Sequence, residues 1–433
     1  MVIRGNLDKR RTFAWMRTML IAVFAVLLVF PPAASAAGES TAIAKDLASA
    51  GEQTALARKP PELLAESAIL MDRRTGTILY EKNASQRMYP ASITKIVTAI
   101  VALESANVED VVTVSKEARG EEGTRVYLEE GEQMKLWQLL LGMMVNSGND
   151  AATAIAEHVD GSKEKFAEHM NAWIREKANA YDSQFRNPSG LPDPEHYTTA
   201  EDMAKITQYA MSNEKFRELV GTKKVIWNGQ TWQTVLVNHN KLLGTYDGAT
   251  GVKNGYTTLA GSTLVASAER NGMELIGVIL KAPSSNQMYA DMRSILDYGF
   301  AAFEPKLLFD ENETYEMDGA PAVAYTADEA IWTVVPKGEK PKVMVDATGV
   351  VHVMTSQGVS NAGRFRLWKT TDKVSALSAS NGRTASAETA PAEHASGESE
   401  AVVKTIAGAC IVLALGGVVV YGLRRRNRIT PSG

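Results

Sequence analysis

A single cysteine in 433 residues, Cys410, leaves no possibility of an intramolecular disulfide. Any exported part of the chain must then rest on its hydrophobic core, and the chain is long enough to bury one. Histidine is also scarce. The six present (His158, His169, His196, His239, His352, His394) show no His-Glu-x-x-His spacing, which disfavours a zinc peptidase. A formal net charge of -4 lacks the basic excess that a nucleic-acid partner favours. No internal repeat is visible. What remains, at 45% apolar and 22% charged residues, is an ordinary globular composition rather than a disordered one. The length favours two folded units plus targeting segments.

Long apolar runs occur at both ends. Arg4, Lys9, Arg10, Arg11 and Arg17 precede the apolar Met19 to Phe30, and Ala34-Ser35-Ala36 fits a small-residue cleavage site. Residues 1–36 therefore read as a signal peptide. An uncleaved N-terminal anchor fits less well, because the run is short for a span and Pro31-Pro32 follows at once. Near the other end, Thr405 to Leu423 carries no charge and is followed by Arg424, Arg425, Arg426 and Arg428. Residues 404–423 read as a single-pass transmembrane anchor with a cytoplasmic tail at 424–433, because basic flanks stay inside. The body of the protein is thus expected on the extracytoplasmic face of the membrane.

Between these ends the pattern predicts a flexible segment at 37–61 and a folded region at 62–304. Ser67 to Met71 and Thr77 to Tyr80 form a hairpin around Arg73-Arg74-Thr75-Gly76. Ile93 to Leu103 is apolar on nearly every side, which marks a buried helix. Leu136 to Val145 and Ala151 to His158 predict two more helices, and Thr199 with Asp202 starts another through a capping-box-like pattern. Ser262 to Arg270 and Met273 to Lys281 read as strands joined by Asn271-Gly272, the strongest short hairpin signal. At 305–372 short strand-like runs (Ala322 to Tyr325, Ile331 to Val335, Lys342 to Val345, Val350 to Met354, Arg364 to Trp368) predict a small all-β domain. Residues 373–403 are rich in Ala, Ser, Glu and Gly and predict a flexible stalk.

Three short motifs carry the chemistry. Ser92-Ile-Thr-Lys95 sets a hydroxyl at the start of an apolar helix with an amine one turn on. Burial and the helix N-terminus both lower a lysine's pKa, so Lys95 can serve as the base that a serine nucleophile needs. A serine cap with a surface lysine is the alternative. It suits a second copy, Ser212-Asn-Glu-Lys215, better than the first. Ser147-Gly148-Asn149 lies between two predicted helices, where simple capping would also account for it. Lys253-Asn254-Gly255 precedes the Asn271-Gly272 hairpin and could line a sheet edge, or be no more than a polar turn.

Taken together and in this order, the motifs resemble those of the low-molecular-weight penicillin-binding proteins, specifically the serine-type D-alanyl-D-alanine carboxypeptidases. The resemblance runs from about Glu62 to Glu304. It includes Phe185-x-Asn187-Pro188-x-Gly190-Leu191, Thr199-Ala200-x-Asp202-Met203-Ala204, Gly255-Tyr256-Thr257 with Ala260-Gly261, and Leu264-Val265-Ala266-Ser267-Ala268. It implies an α/β (α+β) fold, with an antiparallel sheet flanked by helices and then a β-rich domain. It also implies roles: Ser92 as nucleophile toward a peptidoglycan stem peptide ending in D-Ala-D-Ala, and Lys95 as base. Ser147 and Asn149 would complete the proton path and hold the substrate. Lys253, Asn254, Gly255 and Tyr256 would bind it, with the Ser92 and Tyr256 N–H groups forming an oxyanion hole. β-Lactam inhibitors would acylate Ser92, and the implied mechanism calls for no metal or other cofactor. Asn254 stands where the family usually has threonine. A β-lactamase-like hydrolase would normally show Ser-Asp-Asn as its second motif. A non-enzymatic penicillin-sensing or wall-binding protein would not need Lys95, Ser147 and Lys253 together.

Overall fold

The computed structural model describes residues 59–316, 324–346, 349–356, 358–366 and 368–369, all within one compact unit. The expected signal segment, stalk, anchor and tail lie outside the described residues. Among the described residues no helix is long and apolar enough to cross a membrane.

The chain enters through the hairpin β1 (Ser67–Asp72) and β2 (Ile78–Lys82). A 3-10 turn at Ala91–Thr94 then runs directly into α1 (Lys95–Ser105), whose residues from Lys95 to Ala102 are all buried. The two-stranded pair β3 (Val111–Thr113) and β4 (Gln133–Lys135) brackets α2 (Lys116–Gly120). Then come α3 (Leu136–Val145), α4 (Asn149–Asp160) and α5 (Lys163–Ala178). α6 (Ala200–Ala210) starts as its sequence predicts, with the Thr199 hydroxyl accepting the Asp202 N–H at 3.0 Å. α7 (Glu214–Gly221), the hairpin β5 (Lys224–Asn228) and β6 (Gln233–Val237), and the single turn α8 (Leu242–Thr245) follow. β7 (Ala249–Thr257), β8 (Gly261–Arg270) and β9 (Met273–Ala282) complete the sheet, and α9 (Ser285–Ala302) closes the region.

The main sheet is five-stranded and antiparallel, in the order β2-β1-β9-β8-β7. The period of two along each strand sends side chains to two cores. Ile69, Met71, Val265, Ile276 and Val278 join α1 and α3 to α7 on one face. Ala68, Leu70, Leu264, Leu275 and Ile279 meet Met288, Met292, Ile295 and Leu296 of α9 on the other. The sheet is therefore buried on both faces, and β7 is left at an edge. The β8–β9 link turns through Asn271 (φ 52°) and Gly272 (φ 76°), the mirror-image turn that this dipeptide predicts.

The β-rich region begins at Phe303, where β10 (Phe303–Phe309) leaves α9 and later pairs with β13 (Ile331–Pro336). β11 (Thr314–Glu316), β12 (Ala324–Thr326) and β17 (Trp368–Lys369) form one small sheet. β14 (Lys342–Val345), β15 (Val350–Thr355) and β16 (Gly358–Arg366) form another. Phe309, Tyr325, Ile331, Val351 and Val353 share its core. β16 starts six residues before the expected run at Arg364, because pairing with β15 overrides the weak strand preference of Gly358, Ser360, Asn361 and Gly363.

Candidate active site

The 3-10 turn carries Ser92, half-buried, and ends at the buried Lys95, three residues on. Lys95 Nζ lies 2.7 Å from Asn149 Oδ1, 2.6 Å from the Ser189 carbonyl oxygen and 3.2 Å from Ser92 Oγ. The first two partners can only accept. A neutral amine has two N–H bonds and one lone pair, so giving both hydrogens to these oxygens leaves the lone pair for the Ser92 hydroxyl. Burial disfavours the ammonium and pushes the Lys95 pKa well below its usual value. The Lys253 charge pushes the same way, and Asp150 and Glu121 oppose it. The arrangement is a hydroxyl with its own base, ready for nucleophilic attack.

Ser147-Gly148-Asn149 occupies the α3–α4 turn, as its spacing predicts. Ser147 is buried and adopts φ 66°. The turn is pinned to the 121–128 loop. Asn149 Nδ2 donates to the Glu122 carbonyl at 2.6 Å, and the Asn149 N–H donates to that of Thr124 at 2.7 Å. The Asp150 carboxylate accepts the backbone N–H groups of Val126, Leu128 and Ala151. Asn149 is therefore held by its backbone N–H and its Nδ2 while its Oδ1 receives Lys95.

The edge strand β7 supplies the third motif. Lys253 is buried, donates to the Asn254 carbonyl at 3.1 Å and has no acidic partner among the described residues. Burial lowers its pKa to about 7. Gly255 lies against the nucleophile's turn: a Cβ there would come within 2.7 Å of the Ser92 nitrogen and of Thr263 Oγ1. A side chain at 255 would push the strand off the turn. Asn254 borders a cleft with Asn146, His239, Lys241 and Tyr289, and its buried Oδ1 has no partner among the described residues. Tyr256 is 68% exposed beyond Gly255. Fold and register thus bring Ser92, Lys95, Asn149, Lys253 and Gly255 around one centre. Ser147 sits on the adjoining turn, and Asn254 and Tyr256 lie on the strand that flanks it.

Several supporting groups were not singled out as site residues by the sequence. Asn187 Oδ1 accepts the N–H groups of Ser189, Gly190 and Leu191, curling the loop so that the Ser189 carbonyl meets Lys95. Gly190 (φ 87°) passes so close to the turn that a Cβ would lie 1.9 Å from the Ala91 oxygen. Thr263 Oγ1 donates to the Pro90 carbonyl at 2.8 Å, tying β8 to the turn. His196 accepts the Arg186 N–H on Nδ1 at 3.1 Å, so its Nε2–H faces Thr94 Oγ1 at 2.9 Å. Burial holds its pKa down to about 4 and keeps the ring neutral. Asn187 and Gly190 were visible as motif residues, but nothing local signals that Thr263 and His196 reach the turn. The second Ser-x-x-Lys is a surface feature: Ser212 caps back to the Tyr209 carbonyl, and Lys215 pairs with Glu218 at 2.9 Å. Among the described residues no group of three or more His, Cys, Asp or Glu is placed to hold a metal ion.

Comparison with known proteins follows this geometry. Residues 54–284 match the peptidase family S11, described as D-alanyl-D-alanine carboxypeptidase. The D-alanyl-D-alanine carboxypeptidase DacF of Bacillus subtilis is 36% identical over 256 residues, covering 58% of this chain and 66% of DacF. DacD of Escherichia coli is 31% identical over 320 residues, covering 69% of this chain and 80% of DacD. The match to DacF thus falls just short of two thirds of that relative's length. The crystal structure of penicillin-binding protein 5 from Haemophilus influenzae superposes with a TM-score of 0.61 at 28% identity, covering 72% of this chain and 98% of that one. With the three motifs assembled around one serine and these relatives alongside, the chain belongs to the D-alanyl-D-alanine carboxypeptidase family.

Proposed function

We propose that the protein is a serine D-alanyl-D-alanine carboxypeptidase acting on peptidoglycan stem peptides. Ser92 Oγ attacks the carbonyl carbon of the penultimate D-Ala while Lys95 Nζ takes its proton. The tetrahedral oxyanion is held by the backbone N–H groups of Ser92 and Tyr256. The C–N bond breaks, the departing D-Ala amine gains a proton relayed through Lys95 and Ser147, and an ester on Ser92 remains. Water then attacks that ester while Lys95 takes its proton, the bond from the acyl carbon to Ser92 Oγ breaks, and Lys95 returns the proton to Oγ as the shortened peptide leaves. Asn149 positions Lys95 and the substrate amide. Lys253 binds the terminal carboxylate, and the arriving negative charge stabilises its ammonium form. β7, Lys253 to Tyr256, offers an open edge along which an extended peptide can lie as an additional strand.

The observation that carries this reading is the Lys95 amine, with both hydrogens directed to obligate acceptors and its third position on Ser92 Oγ. The same nucleophile would be acylated by β-lactams, which present a carboxylate to Lys253. The two terminal apolar runs support export and a C-terminal membrane tether, which would set the active site on the cell-wall side. Incubation with a pentapeptide ending in D-Ala-D-Ala should release free D-Ala. Peptide mapping after penicillin treatment should find the adduct on Ser92. An adduct on Ser147 or Ser212, or stable acylation with no D-Ala release, would sink the proposal.

A further inference from the structure

We propose that the cleft beyond the C-terminal end of β7 is a binding site for a carboxylate on the stem peptide, carried two residues upstream of the penultimate D-Ala. This rests on the carboxypeptidase reading, which sets the direction of the substrate. If the terminal carboxylate meets Lys253 and the scissile carbonyl lies beside Ser92 and Gly255, the peptide runs antiparallel to β7. Its N-terminal part then continues over Tyr256 and Thr257. A strand advances about 3.3 Å per residue, so the second residue upstream reaches the turn that follows β7.

At that turn lies a cleft of about 330 Å³, lined by Arg87, Tyr89, Tyr197, Leu259 and Lys281 among others. Tyr89 is three residues before the nucleophile, so the cleft adjoins the catalytic turn. Two cations and no carboxylate face it. Arg87 stacks over the Tyr197 ring at 4.7 Å, which fixes its guanidinium plane. Arg87 also holds Asp182 at 2.8 Å, and Lys281 holds Glu66 at 2.9 Å. All four of these groups are exposed, and exposed pairs are weakly held, so an incoming carboxylate can compete for both cations. Leu259 is 55% exposed at the rim, an apolar surface that a peptide passing into the cleft would cover.

The test compares two pentapeptides that differ in one group, L-Ala-γ-D-Glu-L-Lys-D-Ala-D-Ala and its analogue with the glutamyl α-carboxylate amidated. The native protein should hydrolyse the acid with a kcat/KM about tenfold above that of the amide, the scale of a charge-assisted contact. In an Arg87→Gln, Lys281→Gln double variant that ratio should fall to about one. Equal kcat/KM for acid and amide in the native protein would overturn the proposal without any variant. A double variant that keeps the tenfold preference would overturn the assignment to these two cations. No D-Ala release from either peptide, together with no penicillin adduct on Ser92, would instead overturn the carboxypeptidase reading and this inference with it.

Discussion

Two buried lysines lie near enough in the candidate site for the charge of Lys253 to disfavour that of Lys95, and the reading above gives them opposite protonation states. Lys95 has two carbonyl acceptors and a hydroxyl around its amine, and both burial and Lys253 disfavour its charge. Arginine stays protonated, so Lys95→Arg should lower the rate of penicillin acylation by about 10²–10⁴, the usual scale for losing a general base. Lys253 needs only its charge. Lys253→Arg should retain measurable acylation, and Lys253→Ala should weaken acylation and D-Ala release together. Equal loss in the two Lys→Arg variants would show that base and anchor are not separate. The pH profile follows from the same pair. Activity requires Lys95 unprotonated, so kcat/KM should fall on the acid side. It also requires Lys253 charged, and burial sets that loss near pH 7 in the free protein, so kcat/KM should fall again above it. In Lys253→Arg the alkaline limb should move to higher pH. A limb that stays in place would assign it to another group.

The elements that hold the site do so through a few buried polar contacts between segments distant in sequence. The 186–196 loop reaches the nucleophile's turn by His196, which bridges the Arg186 N–H and Thr94 while its ring meets Phe185 edge-on at 5.4 Å. Burial depresses the His196 pKa from its usual 6.5 to about 4, so unfolding takes up a proton anywhere between these values. The stability this contributes is fully present above pH 6.5 and is lost as pH falls through 4, on the order of 3 kcal/mol in all. Denaturant unfolding of the native protein should show that decline, and His196→Gln should flatten it. His196→Gln should also lower stability at pH 7 by about 1–3 kcal/mol, because a buried network loses partners. A His196→Gln variant whose stability changes with pH just as the native protein's does would mean that the ring is not held neutral.

For the whole molecule, the folded region and the proposed targeting ends can be tested apart. The catalytic and β-rich parts have buried cores of their own, and Lys337 ties them by donating its N–H to Ala302 and its ammonium to the Phe300 carbonyl. All of these contacts lie among the described residues, well before the proposed anchor. A chain ended near residue 400 should therefore be released from the membrane after signal cleavage while still forming the penicillin adduct. Membrane fractionation with labelled penicillin checks both halves, and retention of the shortened chain in the membrane would overturn the anchor at 404–423.

Much of this protein is local and so legible in the order of its residues. The β1–β2 hairpin, α1, α3, the Thr199 cap and the Asn271-Gly272 turn all follow from short-range periodicity and backbone preference. The three motifs could be found for the same reason, since each is a run of three or four residues. Other elements were less legible. β16 begins among glycine and polar residues that only pairing with β15 makes extended. Tertiary structure alone decided that the charge of Lys253 would bear on Lys95, that Ser189 would offer its carbonyl, and that Thr263 and His196 would brace a turn more than 100 residues away. These relations depend on strand order and loop closure. Strand order puts β7 at the edge, within a Cβ's reach of Ser92, and no window of local sequence contains both partners.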